Sequence, residues 1–199
     1  MKRILCAAVC LCLLLLCACT GAQDTVLGKL GKNKYQNTSL SISFELKDGW
    51  SFAADSDRLS VMGLNPEEFE NEKEIDSVLL VLDSFIPFMA SNKETGSNII
   101  LQIDKALDTD DCTAFLTKKR DNFAASGSYT QLELSETEIC GVKYAVLKTA
   151  FSYYDYDFTQ NYYTRYVKCD EGEYFVTYIT LLGLGDTSDM SSILEQIKK

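Results

Sequence analysis

Residues Tyr129 to Leu182 read YTQLELSETEICGVKYAVLKTAFSYYDYDFTQNYYTRYVKCDEGEYFVTYITLL. The whole stretch reads as strand, because aromatic and β-branched residues recur without a proline and short polar or glycine-bearing pairs interrupt them. Hairpin turns are expected at Cys140-Gly141, at Asp155-Tyr156-Asp157 and at Asp170-Glu171-Gly172, which makes a long antiparallel meander. Large side chains fall on both faces of these strands, Tyr144 and Val146 on one and Leu147 and Phe151 on the other. Such a sheet needs a cover on each side.

The flanking segments supply it. Leu40, Ile42, Phe44 and Leu46 alternate with polar residues as a half-buried strand, and Asp48-Gly49 turns the chain into Trp50 and Phe52. Asp55-Ser56-Asp57 offers N-cap chemistry for a short helix through Leu64, and Asn65-Pro66-Glu67-Glu68 opens a further helical turn. Ile75, Val78, Leu79 and Leu82 then follow helical spacing. Pro87 interrupts the next apolar run, so Ser84 to Ala90 is expected at an edge or a bulge, and Ile99, Leu101 and Ile103 form a strand. Asp110 and Asp111 cap a helix that ends at Gly127, with Lys118-Lys119-Arg120 as its solvated face. A closing helix is expected over Met190, Ile193, Leu194 and Ile197. The order predicts an α+β domain, an antiparallel β-sheet with helices packed on it.

The N-terminus has a different character. Lys2 and Arg3 precede an apolar or cysteine run from Ile4 to Ala18, too short to span a bilayer and the length of an export signal's core. Leu16-Cys17-Ala18-Cys19 has the bacterial lipobox pattern, with Leu at −3, a small residue at −1 and the acylated Cys at +1. The expectation is a signal peptide over 1–18, a lipid-anchored flexible tether over 19–34, and one domain over 35–199. Cys19 would bear diacylglycerol and further acyl chains such as palmitate, giving durable attachment to the cell membrane's extracytoplasmic face.

The chain of 199 residues is 46% apolar and carries no histidine. That removes Ser-His-Asp and Cys-His catalysis and imidazole metal ligands. Its formal charge is −10; without Lys2 and Arg3 it falls to −12, with 17 basic residues against 29 acidic. Nucleic acid is therefore not an expected partner. Beyond Cys19 three cysteines remain, Cys112, Cys140 and Cys169, with no C-x-x-C. A turn centred on Tyr156 sets residue 143 opposite Cys169 and brings Cys140 to the same end of the sheet. A Cys140–Cys169 disulfide is then geometrically open, against three separate thiols.

Three stretches carry a resemblance. Tyr35-Gln36-Asn37, Leu40 to Phe44 and Asp48-Gly49-Trp50-Ser51-Phe52, followed by Asp55-Ser56-Asp57, resemble the opening of uncharacterised lipoproteins from Gram-positive, often gut-dwelling, bacteria. Met89-Ala90-Ser91-Asn92, Thr95 to Ile99, and Gly141 to Tyr144 resemble the same proteins further along the chain. The resemblance implies a PsbP-like fold, an α/β/α sandwich around an antiparallel sheet, and implies no catalytic residues. The better-known relatives of that fold bind other proteins, an analogy of fold alone.

Motifs of chemistry are weak. Gly183-x-Gly185-x-x-Ser188 follows a strand, but too little chain remains for a dinucleotide unit. Asp108-x-Asp110-Asp111 has Thr113 where a calcium loop needs Gly, so helix capping is the plainer reading. No serine-hydrolase signature occurs, and no cofactor is called for. The reading is a non-catalytic protein-binding or assembly module, with a glycan or a small molecule as the alternative ligand and a carboxylate-dependent hydrolase behind both. Phe151 to Tyr166 holds eight aromatic residues, of which Tyr153, Tyr154, Tyr156 and Tyr162 are the candidate binding surface. Cross-strand bracing of the hairpin is the competing role for these rings. Metabolic labelling with a fatty-acid probe should mark the wild-type chain and leave Cys19→Ala unmarked; equal labelling of both would sink the lipobox reading.

Overall fold

A computed structural model describes residues 26–154 and 156–183. The expected export signal, Cys19, the glycine motif from Gly183 to Ser188 beyond its first residue, and the expected closing helix lie outside the described residues. Among the described residues, ten strands form two open antiparallel sheets, three-stranded β1-β2-β3 and seven-stranded β4-β5-β6-β10-β9-β8-β7. The small sheet comprises β1 (Lys29–Leu30), β2 (Lys34–Asn37) and β3 (Ile42–Glu45). The large one comprises β4 (Trp50–Phe52), β5 (Ser84–Asn92), β6 (Asn98–Lys105), β7 (Tyr129–Ile139), β8 (Val142–Tyr153), β9 (Tyr156–Cys169) and β10 (Gly172–Gly183). Three α-helices accompany them among the described residues: α1 (Asp55–Val61), α2 (Glu72–Leu79) and α3 (Cys112–Ser126). The architecture is α+β.

Period-two alternation sorts the large sheet's side chains onto two covered faces. On one face Ile99, Leu101, Ile103, Tyr174, Val176 and Tyr178 meet the small sheet, α1 and α2. Phe88 sits at the middle of that core, its ring 5.1, 4.8 and 5.3 Å from those of Tyr35, Phe44 and Phe52. On the other face Leu147, Tyr162 and Ile179 pack under α3 through Leu116. Arg165 fastens the sheets together, donating from its guanidinium to the carbonyls of Leu40 and Ser41.

Local chemistry explains the element ends. Asp111 accepts from the amides of Thr113 and Ala114 as the N-cap of α3, and Gly127 closes that helix at φ 69°. Asn71 caps α2 in the same way. Pro87 lies in a bulge between Phe85 and Phe88, where β4 does not reach, and Arg58 of α1 donates to the carbonyls of Ile86 and Pro87.

Three expectations need correction. Residues 26–34 are not a tether: Val26 and Leu27 are buried, and β1 and the start of β2 lie here. The apolar pair Val26-Leu27 supplies the reason, since Tyr35 and Asn37 bond the carbonyls of Leu27 and Val26. Asp55 and Asp57 stand inside the first turn of α1; the N-cap is Ala54, whose side chain has no group to cap with. The β8–β9 turn is not centred on Tyr156, because Tyr153 pairs with Tyr156. Only Tyr154, at φ 53°, and Asp155 lie between that pair, so Lys148 faces Asn161, three residues from the expected register. Phe88→Ala should lower stability by about 3–5 kcal/mol, as for other buried aromatic truncations, measured by denaturant unfolding; a loss under about 1 kcal/mol would contradict this core.

Candidate functional site

Two regions combine exposure or concavity with a dense set of binding groups. The first is the tip of the β8–β9 hairpin. The last described pair of β9 with β10 is Phe158–Gly183, and pairing of β8 with β7 ends at Phe151–Tyr129. Beyond those pairs, Ser152, Tyr153, Tyr156 and Asp157 bond only to each other among the described residues. Among the described residues the tip is a two-stranded overhang, with a hydrogen bond from Ser152 Oγ to Asp157 Oδ1 at 2.7 Å. Its stem is stiffened by the stacked Phe151–Phe158 pair, 5.4 Å apart, with Tyr129 edge-on to Phe151.

Tyr153, Tyr154 and Tyr156 are 62%, 84% and 54% exposed on this overhang. Tyr153 and Tyr154 stand edge to face at 4.6 Å. Tyr162, the fourth candidate, does not belong with them. Its ring is only 5% exposed, and its hydroxyl donates to Gln160 Oε1 at 3.0 Å. The register puts Tyr162 on the face roofed by α3, where burial holds its phenol well above the usual range.

The cysteines form no disulfide with one another. Cys140 sits in the exposed β7–β8 turn and Cys169 begins the β9–β10 turn; among the described residues no disulfide is formed, and the Cys140–Cys169 bond is absent. Cys112 begins α3, where burial pushes its thiol up to about 11, away from thiolate chemistry.

The second region is a cleft of about 530 Å³ between α3 and the β5–β6–β10 side of the sheet. Its floor is one row across the strands, Ser84 beside Asp104 beside Phe175. Its roof is one face of α3, Phe115, Lys118, Lys119 and Asn122, at helical spacing i, i+3, i+4, i+7. Phe115 stacks on Phe175 at 4.4 Å and closes one wall.

Lys119 was expected on a solvated face, together with Lys118 and Arg120. Instead its ammonium lies 5.0 Å from the Tyr162 ring centroid and 5.9 Å from that of Phe115. Burial pulls its pKa below the usual lysine value, and the charge of Asp104 opposes that fall. The Lys triplet concealed this placement, because a run of charges gives no sign of which member turns inward. No cluster of three or more metal-ligating side chains occurs among the described residues. No family model matches the chain, and no curated protein matches it in sequence.

Proposed function

We propose that this protein is an extracytoplasmic lipoprotein, held on the cell membrane by acylated Cys19, whose domain docks a protein partner through the tyrosine-bearing hairpin tip. Exposure of Tyr153, Tyr154 and Tyr156 together on a braced overhang is the observation that carries the reading. Tyrosine offers wide apolar contact and a hydroxyl handle while losing little rotamer freedom, which suits recognition.

The route of the chain supports it. Val26 is tied to Asn37, and nearby Ser39 donates to Glu171 in the β9–β10 turn. The first described residue therefore sits toward the end of the sheet opposite the tip. Tyr156 lies nine residues along β9 from Arg165, which holds Leu40, a span of roughly 30 Å of extended strand. An anchor preceding Val26 presents the tyrosines outward from the membrane. Cover on both faces of the large sheet supports placing the domain with the PsbP-like α/β/α sandwiches that the resemblance to Gram-positive lipoproteins implies. The reading assigns no catalytic role and no cofactor.

The test is co-purification from detergent extracts of the organism's own membranes, with wild type and with Tyr154→Ala/Tyr156→Ala. The double variant should lose its partner while its melting temperature shifts by less than about 2 °C, since exposed residues contribute little to stability. Undiminished capture, or a large drop in melting temperature with capture intact, would show that these rings build the hairpin and recognise nothing.

A further inference from the structure

The cleft under α3 is separate from the hairpin tip and poses its own question. Its volume of about 530 Å³ falls within the range of small-ligand sites, roughly 300–1,000 Å³. Both signs of charge line it, and apart from one pair at the rim they form no ion pair with one another among the described residues. The Lys105 ammonium pairs with Asp83 at 3.4 Å, which accounts for one cation and one acid at the rim. Lys119 has no carboxylate within 4 Å among the described residues; its ammonium faces two rings. Asp104 lies across the cleft on the floor, both its oxygens accepting from the Gln102 side-chain amide at 2.8 and 3.0 Å. That amide orients the carboxylate without neutralising it. Between them runs the apolar wall of Phe115 on Phe175.

We propose that this cleft binds a small zwitterion, a free α-amino acid with an apolar side chain, its carboxylate on Lys119, its ammonium on Asp104 and its side chain along the Phe115–Phe175 wall. The charge pattern excludes the simpler ligands. A plain anion meets Asp104 and Asp108 inside a chain of net charge −10, and a plain cation meets Lys118 and Lys119. A zwitterion has no net charge to be repelled and satisfies one group on the floor and one on the roof. Lysine partly removed from water gains most from such a partner: burial already disfavours its charge, and an opposite charge restores it. Ser84 beside Asp104 and Asn122 on the roof supply neutral donors and acceptors around the head group.

The experiment titrates the detergent-solubilised full-length protein calorimetrically with L-leucine, L-methionine and L-phenylalanine, and with the N-acetyl and amide form of each. At least one free amino acid should bind with Kd below about 1 mM. Its N-acetyl form, which has no ammonium, and its amide, which has no carboxylate, should each bind at least about tenfold more weakly. In Lys119→Met the free acid should fall to the affinity of its amide, and in the isosteric Asp104→Asn to that of its N-acetyl form. The wild-type analogue series stands even if one variant fails to fold, and melting temperatures identify such a variant. Silence from all three amino acids at about 10 mM overturns the proposal. So does equal binding of the free and capped forms, or unchanged affinity in both folded variants.

Discussion

Tyr178 and Ile179 are neighbours on β10, point to opposite faces of one sheet, and are both buried. A sheet that is apolar on both faces must be covered twice, and the rest of the chain is arranged to do it. The segment before the meander supplies the small sheet, α1 and α2 on the Tyr178 side, and α3 crosses the Ile179 side. Thr164 and Thr177 face each other across β9 and β10 at 2.9 Å, so these two buried hydroxyls satisfy one another within the sheet. Arg165 carries the constraint between layers, because its bonds to Leu40 and Ser41 fix where the small sheet lies.

Both candidate sites sit where that double cover stops. The hairpin tip runs past the end of β7 and past the last described residue of β10, and its tyrosine rings are exposed. The cleft lies where α3 stands off β5 and β6, and along β6 the strand face changes from the aliphatic Ile100 through Gln102 to Asp104 on the cleft floor. Rigidity is what the two have in common. A tip on a braced ladder and a cleft between a capped helix and a sheet can each hold binding groups in place before a ligand arrives, which lowers the entropy lost on binding.

Much of this was legible in the sequence. Alternation announced β3, β6 and the meander, and Asp111 and Gly127 marked the ends of α3, because periodicity and capping are local properties. Misread features depended on partners far along the chain. Val26 and Leu27 looked like tether until Tyr35 and Asn37 were brought to their carbonyls. Tyr162 shares a strand face with Tyr156, so alternation alone groups the two; α3 covers only Tyr162, and that depends on chain far away in sequence. Lys119 could not be told from Lys118 by composition; only the position of Tyr162 below α3 distinguishes them.

The central claim, recognition at the end of the sheet far from the anchor, is tested most directly by site-specific crosslinking on intact cells. A benzophenone side chain is placed at position 156 on the tip, or at 170 in the turn near the opposite end of β9. The account predicts that light forms one discrete protein adduct from position 156 and none from 170. Adducts at 170 alone, or none at either position while the protein remains on the membrane, would contradict it.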